Sequence, residues 1–106
     1  MILERMTFQA KYGKGDALVE LFREQARTWG PKMGFVSPRI LTDHTGAMFT
    51  VIVEQEFKDL DDYSRRDKEA KVAFATPEFA NWFARMEQVV ERGERQLFNV
   101  ETLKVG

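Results

Sequence analysis

The chain has no cysteine. That excludes disulfides, thiolate-bound zinc, iron–sulfur clusters and a cysteine nucleophile. It has a single histidine, His44. A stable zinc or haem site draws on imidazole or thiolate ligands, so no metal and no cofactor are expected. An excess of one charge is also missing. Sixteen basic residues face seventeen acidic ones, for a net charge of −1. Nothing is left over to neutralise phosphates, so nucleic acid is not an expected partner. The densest basic pair, Arg65-Arg66, is flanked by acids, which argues against an anionic membrane surface as well. No apolar run approaches the ~20 residues of a membrane span. The opening MILERMTFQA places Glu4 and Arg5 inside an alternating pattern and does not read as a signal peptide. A cytoplasmic location is the expectation. Gly13-x-Gly15 has too few glycines for a phosphate-binding loop, and no Ser-His-Asp spacing is visible.

What is present is ordinary globular composition with many aromatics. Of 106 residues, 43% are hydrophobic and 31% charged, with nine Phe, two Trp and two Tyr. No linker, repeat or low-complexity segment interrupts the chain, so one domain over residues 1–106 is expected. Residues 2–10 alternate with period two, Ile2, Glu4, Met6, Phe8 and Ala10 on one side, as a strand does. From Asp16 the period becomes helical, with Leu18, Leu21, Phe22, Gln25 and Trp29 forming the stripe. Asp16 is expected to cap this helix, and Gly30-Pro31 to stop it. Residues 35–42 read as a short strand in which Pro38 demands a sheet edge or a bulge. Asp43-His44-Thr45-Gly46 is hairpin-loop chemistry, followed by a strand at 47–57.

Asp59 is placed to cap a polar helix beginning at Leu60. Thr76-Pro77 starts a new helical segment, with Thr76 as cap and Pro77 as first residue. Phe79, Trp82, Phe83, Met86, Val89 and Val90 give it the strongest apolar stripe in the chain, and Gly93 is expected to end it. Residues 95–105 alternate again as a last strand. The order is strand, helix, strand, strand, broken helix, strand. This predicts an α+β fold of ferredoxin-like βαββαβ type: a four-stranded antiparallel sheet with helices on one face. Strand 47–57 is apolar on both sides in its centre. A monomer would leave one sheet face wet, so a homodimer that packs sheet on sheet is expected.

The stretches LERMTFQAKYGKGDALVELF and VIVEQEFKDLDDYSRRDKEAKVAFATPEFANWF carry a recognisable pattern. An early Arg in the first strand is followed by a Gly-containing turn, and a Gly-aromatic pair opens the second strand. Phe57, Asp59, Leu60, Tyr63, Arg65, Arg66, Pro77, Glu78 and Phe79 follow at matching places. Over nearly its whole length the chain resembles the NIPSNAP-like branch of the dimeric α/β-barrel superfamily. That resemblance implies the dimeric barrel fold. It also implies a range of roles in which fold does not choose: cofactor-independent monooxygenases, haem-degrading enzymes, isomerases and proteins of no assigned activity.

Two functional readings follow. In the first, the chain binds or transforms a small apolar or aromatic molecule without a cofactor, with monooxygenase- or isomerase-like activity if it is an enzyme. Trp29, Trp82, Phe83 and Met86 would line that pocket, with Tyr63 and Arg39 as the polar groups at its mouth. The same four apolar residues at helical spacing also read as plain core. In the second, the chain is a non-catalytic homodimeric interaction or stress-associated module. His44 reads as a polar loop residue rather than a general base or axial ligand. Arg5, Arg39, Glu54 and Glu101 read as a solvated strand face, or else as ion pairs inside a dimer or an anchor for a ligand carboxylate.

Overall fold

The computed structural model describes residues 1–104, without the side chains of Val36 and Ser37. The described residues form β1 (Ile2–Ala10), α1 (Gly15–Met33), β2 (Val36–Thr42), β3 (Thr50–Phe57), α2 (Leu60–Phe74), α3 (Pro77–Glu87) and β4 (Val90–Asn99). The strands make one antiparallel sheet in the order β2-β3-β1-β4. Each helical connection therefore skips a strand: α1 carries the chain from β1 past β3 to β2, and α2–α3 carry it from β3 past β1 to β4. This is the ferredoxin-like α+β arrangement that the changes of period predict.

Register assigns the two faces. Ile2 pairs with Phe57, Met6 with Val53 and Phe8 with Val51. These side chains meet the helices; Val51 is fully buried and packs with Leu18, Leu21, Phe22, Trp29 and Trp82. Leu3, Arg5, Thr7 and Gln9 point the other way, beside Thr50, Ile52, Glu54 and Glu56. β2 is both an edge strand and bulged between Val36 and Arg39, around Pro38. The caps of the later helices follow the sequence. Asp59 Oδ1 accepts the Asp62 N–H at 2.8 Å, and Thr76 Oγ1 accepts the Phe79 N–H at 3.2 Å.

Several boundaries depart from the sequence reading, each for a local reason. Gly30-Pro31 does not end α1. Pro31 lies in its last turn, and the helix runs on to Gly34, whose left-handed φ of 59° and N–H bond to the Gly30 carbonyl close it. Asp16 lies in the first turn of α1, where acid suits the helix dipole, but it makes no side-chain cap. β3 begins at Thr50 rather than 47. Phe49 takes a left-handed φ of 63°, and its ring fills the space beside Gly15, so the loop reaches further than four residues. Gly93 is not a helix end. α3 stops at Glu87, and the chain is already in β4 at Val90. A Cβ at Gly93 would stand 2.9 Å from the Phe8 ring, so glycine lets Phe8 lie across the strand. β4 ends at Asn99; of the expected extension, 101–104 is irregular and exposed, and Val105 lies outside the described residues.

Candidate functional site

The apolar candidates come together as core. Trp82 is 2% exposed, and its indole N–H donates to the Leu21 carbonyl at 2.7 Å. Trp29 packs edge-on against Phe74, Phe79 and Trp82, with ring centroids 5.4–6.3 Å apart. Phe74 and Phe79 stack at 4.0 Å. This cluster joins α1 to α2 and α3. Met86 is partly buried against it, whereas Phe83 is exposed. Arg39 does not join them: register puts it opposite Glu54, on the sheet face away from the helices. Tyr63 is elsewhere again, on α2 over the sheet. His44 is in the exposed loop after β2.

Two carboxylates organise the polar chemistry, one on each side of the sheet. On the open side, Glu54 is 1% exposed. Arg5 and Arg39 are its register partners on the two neighbouring strands. Arg5 Nε donates to Oε2 at 2.5 Å and Arg39 Nε to Oε1 at 2.7 Å. The carboxylate is thus sealed from water by two guanidinium groups that are themselves partly solvated. Burial pushes its pKa up, but the two arginine hydrogen bonds and charges outweigh it and hold the carboxyl below its usual range. The reading of Glu54 as a solvated face is corrected: it is the centre of an ion triad. Arg5 also lies 5.2 Å over the ring of Phe98.

On the helix side, Glu4 is 6% exposed. Tyr63 donates its hydroxyl to Oε2 at 3.0 Å, and Gln55 donates its amide to Oε1 at 3.2 Å. Arg95 Nε stands 3.7 Å from Oε2. Burial raises the Tyr63 pKa, and the Glu4 charge and hydrogen bond raise it further. Tyr63 is a held proton donor. Glu4, Gln55 and Arg95 escape the motif reading, yet the signal for Glu4 is present: it shares its strand phase with Ile2, Met6, Phe8 and Ala10.

Two open clefts flank the start of α2. One, of about 540 Å³, lies between Leu60 and the Ile2–Asn99 end of the sheet, with Met1, Val100, Asp59, Asp61 and Glu101 around it. The other, of about 630 Å³, is walled by Phe57, Lys58, Asp62, Arg65 and Arg66 among others. Asp62 is the tie there. Its carboxylate accepts the Lys58 N–H and bonds Arg65 and Arg66, and the Lys58 N–H leads in lowering its pKa. Among the described residues, neither cleft is lined by any of the six sequence-derived candidates. No group of three metal-ligating side chains occurs among the described residues, and no helix there is long and apolar enough to cross a membrane.

No family model matches the chain, and no curated protein does. Solved structures do. A NIPSNAP domain protein from Burkholderia xenovorans superposes over all of both chains with a TM-score of 0.75 at 18% identity. A NIPSNAP family protein from Agrobacterium tumefaciens gives 0.73 at 21% identity, covering 92% of this chain and 90% of its own. SnoaB, a cofactor-independent oxygenase from Streptomyces nogalater, gives 0.66 at 17% identity, covering 96% and 94%. The chain shares the fold of these NIPSNAP and antibiotic biosynthesis monooxygenase structures.

Proposed function

We propose that this chain is a homodimeric binder of a small apolar or aromatic molecule, held between α2 and the helix-facing side of the sheet. The observation that carries the reading is the cleft of about 540 Å³ with exposed Met1, Leu60 and Val100 around a sheet floor. Its volume is in the range of small-molecule sites, and Met1, Leu60 and Val100 add apolar surface to walls that Asp59, Asp61, Asn99 and Glu101 make mainly polar. The shared fold with SnoaB, a cofactor-independent oxygenase, supports small-molecule binding on this fold. Nothing on the helix side requires the aromatic cluster to open, because Trp29 and Trp82 are already packed.

The homodimer rests on the opposite face. Leu3, Ile52 and Phe98 surround the Arg5–Glu54–Arg39 triad, and Leu41 continues the patch on β2. Both carboxylate oxygens are bonded, so a second sheet can cover the triad without stranding a carboxylate, although each protomer's triad brings a net charge of +1 to the seam. Proton–nitrogen correlation spectra with a panel of flat aromatic compounds test the binding. Saturable shifts confined to Ile2, Leu60, Asn99 and their neighbours are expected; the absence of saturable shifts with every compound refutes the reading. Sedimentation equilibrium tests the dimer, and a mass equal to one chain at micromolar concentration rejects it.

A further inference from the structure

The Arg5–Glu54–Arg39 triad is one negative charge short. Arg5 is engaged on two sides, by Glu54 and by the Phe98 ring. Arg39 is the outward member: its side chain is 64% exposed against 38% for Arg5, and among the described residues only its Nε is bonded. A guanidinium covered by a second sheet without a counter-ion is strongly disfavoured. The surplus charge of Arg39 therefore calls for a carboxylate at the seam.

Register shows where one is available. Arg39, Glu54, Arg5 and Gln96 form one row across the open face, and Leu41, Ile52, Thr7 and Glu94 form the next. Glu94 is exposed and takes part in no ion pair among the described residues. Within one chain it does not meet Arg39, because β4 and β2 are opposite edges of the sheet, three strand spacings or about 14 Å apart. A second copy changes that. Sheets packed face to face with aligned strands are related by a two-fold axis that runs either across the strands or along them. An axis across the strands lays β2 on the partner's β2, which among the described residues has no acid on this face. An axis along the strands, between β3 and β1, lays β2 on the partner's β4, where Glu94 is the acid of the open face. Stacked sheets are about 10 Å apart. An arginine and a glutamate close that span from its two sides.

Resting on the homodimer reading above, we propose that Arg39 pairs with the partner's Glu94, twice per dimer, and that these pairs fix the two-fold axis along the strands with β2 over the partner's β4. Arg39 then has two roles: its Nε holds Glu54 in its own chain, and its terminal amino groups donate to the partner's Glu94. Leu41, Ile52 and Leu3 supply the apolar surface between the pairs. The charge pairs set the orientation, since apolar surface alone is compatible with either axis.

A double-mutant cycle read by sedimentation equilibrium tests the pair. Glu94→Gln should raise the dimer dissociation constant about tenfold, as the loss of two partly shielded ion pairs implies. In the Arg39→Gln background the same change should have no further effect. Glu94 is exposed and without a partner in its own chain, so Glu94→Gln reads the seam even if Arg39→Gln loosens the triad. The absence of cysteine lets cross-linking read the axis. Leu41→Cys on β2 and Gln96→Cys on β4 are prepared as separate proteins and treated with a short bismaleimide. Covalent dimers are expected when the two are mixed and not from either alone. A dimer that Glu94→Gln leaves unchanged, additive effects in the cycle, covalent dimers from Leu41→Cys alone, or none from the mixture overturns the pairing and leaves the homodimer standing. A wild-type mass equal to one chain at micromolar concentration overturns both.

Discussion

Replacing Glu54 by glutamine removes one charge and almost no volume, so it isolates what the carboxylate does on the open side of the sheet. Both arginines bond it, Arg5 at 2.5 Å and Arg39 at 2.7 Å. Glutamine keeps one acceptor oxygen and turns an NH₂ toward the other guanidinium, so one charge-assisted bond is lost outright. Such a bond contributes about 1.5–3 kcal/mol when its acceptor is shielded. Screening by water acts on the arginines, whose side chains are 38% and 64% exposed, and brings the expectation to the lower half, about 1.5–2 kcal/mol. Urea unfolding at one fixed protein concentration measures it, since a dimer's stability depends on concentration.

The pH dependence supplies the sharper check. The Glu54 pKa is lowered in the folded protein, so the unfolded chain binds its proton first as pH falls. The stabilisation is therefore complete well above the ordinary glutamate value of about 4.3 and drains away as pH falls through the lower folded value. Wild type and Glu54→Gln should differ fully at neutral pH and converge in acid. A difference under about 0.5 kcal/mol at pH 7, or one that stays constant into acid, refutes the triad as a stabilising unit.

Four further outcomes follow from the packing. Trp82→Ala should lower stability by about 3–5 kcal/mol in urea unfolding, because it opens a cavity among Phe22, Trp29 and Phe79. Gly93→Ala should lower it by about 1–3 kcal/mol, because the new Cβ meets the Phe8 ring, and Phe8→Leu in the same chain should recover part of the loss. Thr76→Ala should cost about 1 kcal/mol by removing the cap of α3, read as a drop in melting temperature. Ile52→Lys puts a charge on the open sheet face beside the triad; sedimentation should then show the monomer, with the helix-side core intact by near-ultraviolet circular dichroism.

Much of the fold is legible because its signals are local. A change of period at residues 10–18 and at 57–60 marks strand giving way to helix, and Asp59 and Thr76 declare the starts of α2 and α3 by a side chain three residues from its target. The helix stops depend on less local signals. Gly30-Pro31 looks like a terminator, but proline late in a helix removes one N–H, and the following residues can still close the turn at Gly34. The run from Met86 to Val90 looks helical by spacing alone. Val89 and Val90 pack on the core from a turn and a strand, which composition cannot separate from one more helical turn. Gly93 misleads for a related reason: a glycine required by a ring on the neighbouring strand looks the same as a glycine that ends a helix.

The polar sites divide along the same line between local and long-range information. Glu4 is out of character with the apolar phase of its own strand, and that alone marks it as a carboxylate facing the helices. The partners that make it a site, Tyr63, Gln55 and Arg95, lie 51 to 91 positions away and are chosen by pairing and helix placement. Arg39 shows how much a single residue of register decides. Val36 opposes Glu56, so an unbroken ladder would set Pro38 opposite Glu54, with no side chain able to bond a carboxylate. The bulge inserts one residue, and Arg39 opposes Glu54 instead. Pro38 favours that break because it cannot donate to the ladder. A proline that reads as a defect in an edge strand thus brings a second guanidinium to the buried carboxylate. The open face of the sheet carries a closed ion triad where strand alternation alone would have left a half-paired charge.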